Sequence, residues 1–426
     1  MSSLPVSIQK EIDAISKKLS NRPKLSDMFR NCFPNTLETT TELLEDGTTF
    51  VFTGDIPAMW LRDSTAQVRH YIPFASQDED VRRIIEGLIK RQIDYICIDP
   101  YANAFNKEPN DKCFSNDITE HNPWVWERKY EIDSLCYPIQ LAYLYWKATG
   151  SVEVFDEKFK KAVDVIINLW ITEQNHWEKS KYSFQRFNCP ESDTLINEGK
   201  GAKVGYTGMT WSGFRPSDDA CKYGYLIPSN MFAVVVLGYI EQIAGEVYKD
   251  NDLVKKAASL KDEIDSGIKK YGMVDHPEFG RMYAYETDGL GNYNFMDDAN
   301  VPSLLSIPYL GYTTADDPVY INTRKFVLSE ANPYYYKGKF AKGIGSPHTP
   351  KGYIWHIALT MQALTSNDDK EIAEIVDMLE KTDAGTGYMH EGFNPDNPSE
   401  FTRSWFAWAN SLFGELIYKL VKENKL

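Results

Sequence analysis

Carboxylate side chains lie at or beside the starts of several apolar segments in this 426-residue chain. An Asp or Glu in such a place can cap a helix, because the first backbone N–H groups of a helix have no partner within it. It can also line a pocket and transfer protons. The five positions are Asp63 in WLRDS, Asp133 in EIDS, Asp218 with Asp219 in RPSDDA, Asp297 with Asp298 in MDDAN, and Glu391 in MHEGF.

Helix capping accounts for some of these carboxylates better than for others. It explains Asp133 and Asp298 well, since each stands at the start of an apolar segment. It explains Glu391 poorly, because that residue lies well before the next helical segment. A pocket lined by carboxylates, aromatic rings, Arg62 and His348 is expected of an enzyme that cleaves glycosidic bonds. Such an enzyme needs two carboxyl groups across the bond, one protonated and the other ionised.

The segments that must position these side chains are six similar apolar stretches, each preceded by a loop rich in aromatic residues, glycine and carboxylates. Their side chains are apolar or small nearly all round, which indicates buried helices. Their unequal spacing excludes a strict-period solenoid. They begin at Met59, Tyr130, Tyr223, Met296, Tyr353 and Arg403.

Amphipathic segments alternate with the apolar ones and have charges on one face, as expected of half-exposed helices. Six buried and six half-exposed helices predict an all-α fold, an (α/α)6 barrel with an inner and an outer ring. We expect a single catalytic domain over residues 1–426, with one short hairpin strand in Thr48–Ile56. The amphipathic segments are Val6–Leu19, Val81–Ile98, Val154–Ile171, Asp252–Tyr271, Asp316–Ala331 and Asp368–Thr382.

Four loops are long enough to be functional, because loops of more than about 12–15 residues in a compact domain are usually site-forming or disordered. They are aromatic and glycine-rich, which favours ordered loops that close one end of the barrel into a pocket. We expect Trp124, Trp126 and Trp211 to wall the end of that pocket. The loops are Asp99–Lys129, Trp177–Lys222, Gly272–Phe295 and Lys337–Gly352.

Composition excludes several classes of partner. A net charge of −15 is a poor match for nucleic acid or an anionic membrane surface. The 10 Trp, 26 Tyr and 21 Phe suit a sugar ligand. The N-terminus lacks a basic segment followed by an apolar core, there is no run of about 18 apolar residues, and six cysteines lie far apart. We therefore expect a cytoplasmic protein without a membrane span or an obligate protein partner.

Metal and cofactor chemistry finds little support in the sequence. The pair Asp297 and Asp298 could bind Ca²⁺, but that ion needs six or more oxygen ligands and no loop has EF-hand spacing. The seven histidines form no HExxH motif or close pair, which argues against zinc. The glycine-rich stretches lack the spacing of nucleotide-binding loops. We expect neither a metal nor a cofactor.

Four long motifs resemble glycoside hydrolase family 125, the exo-α-1,6-mannosidases. They are GDIPAMWLRDS, RPSDDACKYGYLIPSNMF, MDDANVPSLL and MHEGFNPDNPSEFTRSWFAWANSLFGELI, and the resemblance runs from about Gly54 to Leu416. It implies an (α/α)6 barrel that removes terminal mannose from N-glycans or other mannose oligosaccharides, without a metal and with inversion. It also implies Asp218 as general acid, Glu391 as general base, and Trp60, Arg62, Asp63, Asp133, Asp298, His348 and Arg403 as substrate-binding residues.

Two questions stay open at this point. The charge of Asp219 and burial would raise the pKa of Asp218, while Arg215 would lower it, so spacing alone does not say which Asp is the acid. The alternative function is a sugar epimerase or isomerase, or a non-catalytic glycan-binding protein, on the same barrel. An epimerase is expected to use histidines as acid and base, and only His348 and His390 lie in site-forming loops.

Overall fold

The computed structural model describes residues 4–426. Six helices form its outer ring, and the predicted amphipathic segments all contain one. Burial of their apolar faces against the inner ring stabilises the fold by roughly 1.5–3 kcal/mol per buried Leu or Ile side chain. The outer helices are Val6–Lys18, Glu79–Ile98, Glu157–Glu173, Asn251–Gly267, Pro318–Val327 and Asp369–Lys381.

The inner ring is formed by five longer helices and one short one. Neighbouring members pack against each other along most of the ring, and the last helix closes on the first. Their residues are buried on nearly all sides, as their composition predicted. The inner helices are Leu61–Val68, Ile132–Thr149, Ile227–Ile243, Ile307–Leu310, His356–Leu364 and Ala407–Lys422.

The fourth inner segment departs from the predicted pattern, because only Ile307–Leu310 is helical there. Pro302 and Pro308 have no backbone N–H to donate. The carboxylate of Asp297 accepts hydrogen bonds from the backbone N–H groups of Leu304 and Leu305, at 2.8 and 3.0 Å. This polar side chain holds the segment in a turn, in competition with helical hydrogen bonding.

Shorter helical turns complete the chain. The first inner helix continues as a 3₁₀ turn that contains Pro73, and the third inner and fourth outer helices each end in a π-helical turn. The additional turns and helices are Pro23–Cys32, Asn35–Thr39, Arg69–Phe74, His176–Lys179, Glu191–Asp193, Ile196–Gly199, Ala244–Tyr248 and Ile268–Gly272.

Short antiparallel strands are more numerous than the one predicted from the sequence. The predicted strand is present as Thr49–Val51, paired with Thr41–Leu43. Two further hairpins are Met273–His276 with Gly280–Tyr283, and Tyr335–Lys337 with Lys342–Ile344.

Three three-stranded sheets each place two residues directly before an inner helix. Met59–Trp60, Tyr225–Leu226 and Ile354–Trp355 precede the first, third and fifth inner helices. The first two sheets join these residues to segments of the loops Asp99–Lys129 and Gly272–Phe295, and the third joins them to a hairpin at 392–401, so that these segments are fixed at the N-terminal ends of the inner helices. Their strands are Met59–Trp60, Ala104–Phe105 and Val125–Glu127; Tyr225–Leu226, Glu286–Thr287 and Tyr293–Asn294; and Ile354–Trp355, Gly392–Asn394 and Asn397–Phe401.

One helical stretch, Ile227–Tyr248, is long and apolar enough to cross a membrane by length and composition, whereas the sequence predicted no such segment. In the structure it is the third inner helix with its π-helical turn. It packs against Ile132–Thr149 and Asn251–Gly267, and 44% of its apolar window is buried. The core helix of a folded protein passes the same length and composition test.

Candidate active site

A cavity of about 400 Å³ lies at the N-terminal ends of the inner helices. Three of the four long loops contribute to its wall, and the loop Gly272–Phe295 supports that wall from behind, where Glu286 binds Arg215 at 2.6 Å. The lining residues include Trp60, Arg62, Asp63, Phe114, Lys129, Arg186, Asp193, Ser217, Asp218, Asp219, Asn300, His348, Trp355, Glu391, Arg403 and Phe406.

The buried guanidinium of Arg62, in the first turn of an inner helix, holds one side of the cavity together. Its Nη1 donates to Glu131 Oε2 at 2.5 Å and to Asp133 Oδ2 at 3.3 Å. Its Nη2 donates to Asp218 Oδ1 at 3.1 Å, and its Nε lies 3.4 Å from Asp63 Oδ2. Burial opposes the charge of Arg62, but the four carboxyl groups raise its pKa well above the usual range. Arg62 is therefore a permanent cation among four acids.

Asp218 lies in a tight turn that points its carboxyl group into the cavity. Its φ of 67° is in the left-handed region, which non-glycine residues rarely adopt and which often marks functional sites. The turn is closed by backbone hydrogen bonds from Asp218 to Arg215 and from Arg215 to Asp219, and Lys129 Nζ donates to the Asp218 carbonyl at 2.7 Å. The side chain is 23% exposed.

The charge environment of Asp218 differs from the sequence expectation. Burial raises its pKa, but Arg62, a hydrogen bond with Glu131, Lys129 and His348 together hold that pKa well below its usual range. The acid that faces Asp218 is Glu131, which precedes an inner helix, rather than its sequence neighbour Asp219. Asp218 and Glu131 therefore share the guanidinium of Arg62.

Asp219 is turned towards His348 instead. Its Oδ1 lies 3.0 Å from His348 Nδ1. Burial disfavours a charged imidazole, but the hydrogen bond and charge of Asp219, with the charges of Glu391 and Asp218, raise the pKa of His348 to about 9. His348 is thus an imidazolium at neutral pH, and Asp219 serves as its counter-ion.

Glu391 lies directly before the strand Gly392–Asn394, which pairs with the residues that open the fifth inner helix. Its Oε2 accepts a hydrogen bond from Thr402 Oγ1 at 2.9 Å, and its Oε1 lies 3.8 Å from Arg403 Nη1. Arg403 is fixed in turn by Asp55, whose Oδ1 accepts from Arg403 Nε at 3.0 Å. The Glu391 carboxylate is therefore held in a defined orientation at the cavity wall.

Asp63 is a buried member of the first inner helix and also lines the cavity. It makes no capping hydrogen bond at the helix start. Burial, opposed by Arg62, raises its pKa to about 6. Its position beside Arg62 suits hydrogen bonding to a ligand hydroxyl group.

Seven of the nine residues predicted for the site line this cavity: Trp60, Arg62, Asp63, Asp218, His348, Glu391 and Arg403. Asp133 and Asp298 do not, and the substrate contact expected of them is not supported. Asp133 is fully buried behind the wall against Arg62. Asp298 accepts a hydrogen bond from Ser217 Oγ at 2.7 Å, also behind the wall. Asp133 and Asp298 thus bind Arg62 and Ser217, which do line the cavity.

The aromatic wall also differs from the prediction. Trp124, Trp126 and Trp211 are absent from the lining, and Trp211 is buried in a stack with His176 at 3.5 Å between ring centroids. The rings that line the cavity are instead Trp60, Phe114, Trp355 and Phe406. Sequence spacing identified aromatic loops correctly but not which rings point inward.

Sequence reasoning missed several charged residues of the site. Lys129 and Arg186 are almost fully buried, and both bind Asp193, Arg186 at 2.9 Å. Glu131 lies two positions before Asp133 in the same YEIDS motif, but only Asp133 was predicted to belong to the site. Arg128 and Lys129 in NPWVWERKY were the available signal for Lys129, since cations between aromatic residues are buried only when paired.

The residues described include no group of three or more His, Cys, Asp or Glu side chains arranged to hold a metal ion. Both oxygens of Asp297 are engaged by backbone N–H groups, and burial raises the pKa of this residue to about 8. The Asp297 carboxyl therefore holds the backbone of its own segment.

Comparisons with known proteins agree with this geometry. The sequence profile of the metal-independent α-mannosidases, GH125, matches residues 22–418. The Meiotically up-regulated gene 157 protein of Schizosaccharomyces pombe is 41% identical over 438 residues, which cover 98% of this chain and 86% of the relative.

Solved structures give the same result. One is a metal-independent α-mannosidase of Streptococcus pneumoniae in a non-productive complex with α-1,6-mannobiose. Its sequence is 50% identical, the TM-score is 0.95, and the match covers 97% of this chain and 98% of the Streptococcus pneumoniae chain. A glucoamylase of Saccharomycopsis fibuligera shares the fold at 12% identity, with a TM-score of 0.56 and coverage of 97% and 96%. The predicted (α/α)6 barrel is confirmed.

Proposed function

The chain belongs to glycoside hydrolase family 125, the metal-independent α-mannosidases, and from this premise we propose that it removes terminal mannose from α-1,6-linked mannosides. The ligand of the Streptococcus pneumoniae relative, α-1,6-mannobiose, supports this linkage, and the N-linked glycans named with that relative support the substrate class. The observation that carries the proposal is one cavity with two carboxylates on separate elements, each fixed by its own partners.

Asp218 is the proposed general acid. Its carboxyl group is accessible from the cavity, whereas the neighbouring Asp219 is committed to His348. The role requires Asp218 to protonate the glycosidic oxygen as the bond to the anomeric carbon breaks. Arg62 and Lys129 then stabilise the carboxylate that remains, through the carboxyl oxygen and the backbone carbonyl respectively.

Glu391 is the proposed general base. Thr402 orients its carboxylate, and Arg403 lies beside it, so that the carboxylate is positioned to accept a proton from water. The water attacks the face of the anomeric carbon opposite the departing oxygen, which inverts the configuration. Arg62, Asp63 and Arg403 then hold hydroxyl groups of the terminal mannose.

Exo action follows from the shape of the site. The cavity is closed by the starts of the inner helices, and three long loops surround its mouth, so it admits a chain end. The epimerase alternative fits less well. His390 does not line the cavity and stacks on Phe401 at 3.8 Å, and His348 is held as a cation, so no histidine pair faces a bound sugar in the part described.

Product analysis tests the proposal. The purified protein is incubated with α-1,6-mannobiose and, as matched controls, with the α-1,2- and α-1,3-linked isomers. Proton NMR follows the first mannose released, and β-mannose from the α-1,6 isomer is the expected result. Initial α-mannose would contradict inversion, and no release from any isomer would contradict the function. Early oligosaccharide products from a longer α-1,6-mannan would contradict exo action.

A further inference from the structure

Phe114 is an exposed aromatic side chain in the lining of the active-site cavity. It lies in the loop Asp99–Lys129 and is 54% exposed, whereas the other Trp and Phe rings of the lining, Trp60, Trp355 and Phe406, are buried. A large apolar ring that lies in water gains free energy when a ligand covers it. The residues proposed for the reaction hold the terminal mannose, and none of them holds the sugar that leaves.

A series of contacts leads from Asp218 to Phe114. Lys129 Nζ donates to the Asp218 carbonyl at 2.7 Å and also binds Asp193. Asp193 Oδ2 accepts from Arg186 Nη1 at 2.9 Å, and the Arg186 guanidinium lies 4.9 Å from the centre of the Phe114 ring. The exposed fraction is 2% at Lys129, 25% at Asp193 and 54% at Phe114. Phe114 therefore lies on the side of Asp218 that faces the mouth of the cavity.

The other neighbours of Asp218 belong to the closed part of the cavity. Arg62 is almost fully buried, binds the Asp218 carboxyl and lies beside Asp63. In the proposed exo reaction the terminal mannose fills this closed end, and Asp218 stands at the glycosidic oxygen. The sugar beyond that oxygen must then lie towards the mouth, where Phe114 is.

The backbone that carries Phe114 is fixed by hydrogen bonds within the protein. Phe114 N donates to the Trp126 carbonyl at 2.9 Å. A few residues further along, Ile118 and Gln185 exchange two backbone hydrogen bonds, at 2.8 and 3.1 Å, which join the two long loops of the mouth. A ring on a fixed backbone loses little conformational freedom when a ligand covers it, so its contact area contributes to affinity.

The polar side chains around this ring already have partners within the protein. Arg186 donates to both oxygens of Asp117 at 2.7 Å. It also donates to Glu127 Oε1 and Asp193 Oδ2, both at 2.9 Å. Lys129 binds the other oxygen of Asp193. These charged groups are therefore engaged in holding the loops together, and the aromatic ring supplies the uncovered contact surface on this side of the cavity.

On the basis of the proposed function, we propose that Phe114 is the platform on which the leaving sugar stacks. One face of a hexopyranose presents C–H groups that pack on an aromatic ring, while the hydroxyl groups at its edge stay in water. Phe114 thus selects a ring-shaped leaving group and holds it with the glycosidic oxygen near Asp218. Because stacking recognises the ring face rather than a set of hydroxyl groups, mannose and glucose are both accepted on the leaving side.

A simpler role for Phe114 is to cover Arg186 and shield its ion pairs from water. Phe184 already lies over the same guanidinium, at 5.4 Å from its ring centre. The two roles differ in what a truncation removes. Loss of a shield would disturb the loops and weaken every ligand of the cavity, whereas loss of a platform weakens only a ligand that has a second sugar.

The test measures binding by calorimetry in Asp218→Asn, which removes proton donation, with mannose and α-1,6-mannobiose as ligands. Mannobiose should bind more tightly than mannose while Phe114 is present. Adding Phe114→Ala should weaken mannobiose about 5–30-fold, as for the loss of an anchor ring, and leave mannose unchanged. Phe114→Trp should keep the affinity. The matched control is Phe187→Ala, since Phe187 is 61% exposed and absent from the lining, and it should change neither ligand.

Equal losses of mannose and mannobiose affinity would indicate the shielding role and overturn the proposal, as would full mannobiose affinity in Phe114→Ala. A disaccharide of mannose α-1,6-linked to glucose should bind about as tightly as mannobiose. If it bound no more tightly than mannose, recognition of the ring face would be contradicted. Phe114→Leu, which keeps an apolar side chain without a flat face, should lose most of the mannobiose preference and serves if the Ala variant does not fold.

A kinetic measurement on the cleaving protein separates binding from chemistry. Stacking is present both before and in the transition state, so Phe114→Ala should raise KM for α-1,6-mannobiose with little change in kcat. A lower kcat at unchanged KM would overturn the proposal. If neither sugar bound to the protein with Phe114 intact, the proposed function would fail and the platform with it. If both sugars bound equally tightly there, only the platform would fail.

Discussion

The outer and inner helices use the same residue type at their N-terminal ends for different purposes. Five outer helices begin after an Asp whose side chain accepts hydrogen bonds from backbone N–H groups of the first turn. In the part of the chain described, no inner helix has such a side-chain cap. The capping residues are Asp78, Asp156, Asp250, Asp317 and Asp368.

The inner helices satisfy their first N–H groups with the loops instead. Leu61 N donates to the Asn103 carbonyl at 3.1 Å, and Ile227 N donates to the Tyr285 carbonyl at 2.9 Å. Because loop backbone does the capping, the carboxylates of the inner ring are free to bind Arg62, His348 or a ligand. Acidic residues at the starts of the outer helices therefore stabilise those helices, whereas acidic residues at the starts of the inner helices form a site.

The largest difference between the carboxylates of the inner and the outer ring should appear in enzymatic activity. Asp218→Asn and Glu391→Gln remove proton transfer, which contributes roughly 10²–10⁴-fold, while circular dichroism and melting temperature change little. Asp218→Asn should spare an aryl mannoside with a good leaving group, and Glu391→Gln should impair both substrates, because water attack is common to them. Equal losses for Asp218→Asn on both substrates would contradict its role as acid.

The next largest effect concerns stability of the inner ring. Arg62→Met leaves four carboxyl groups without their shared cation, and breaking a buried ion pair costs about 3–5 kcal/mol. Without Arg62, which lowers the pKa of all four carboxyls, their folded pKa values all rise. The deficit is therefore smallest at low pH and grows as the pH rises. Urea unfolding at pH 5 and pH 8 measures this, and a pH-independent deficit would argue against the charge cluster.

Replacing the capping residue of an outer helix should change the stability of the protein and leave its activity unchanged. Asp317 Oδ1 accepts from Tyr320 N at 2.9 Å, so Asp317→Ala should cost about 1 kcal/mol of unfolding free energy without a change in kcat/KM. Asp317→Asn is the matched control, since Asn caps nearly as well. Lost activity in Asp317→Ala would break the distinction between the two rings.

The smallest effect should come from the Asp219–His348 pair. Since the folded pKa of His348 is raised from 6.5 to about 9, its contribution is fully present below pH 6.5 and is lost as the pH rises through 9. The side chain is 36% exposed, so the magnitude should be that of a screened ion pair, about 0.2–1 kcal/mol. Unfolding free energies of wild type and His348→Gln should converge above that range; a constant difference would contradict the assignment.

Much of the architecture was predictable because it rests on local periodicity. Apolar and amphipathic segments repeat with helical spacing, and this pattern predicted the two rings and most helix bounds within a few residues. The prediction of a full helix in the fourth inner segment was wrong, because Asp297 and two prolines favour a turn there. Hydrophobic patterning does not detect that competition. The cytoplasmic location and the single domain over residues 1–426 stay predictions.

The sequence by itself determined the family, the barrel and seven of the residues that meet in the cavity, because long motifs and helical patterns are properties of contiguous residues. Only the tertiary structure decided which carboxylates face the cavity and which lie behind it. Arg62 binds Asp218, which is 156 positions away, and Glu131, which is 69 positions away, through packing of separate elements. Side-chain direction and charge pairing across such distances arise only after folding, and they turned Asp133 and Asp298 away from the cavity.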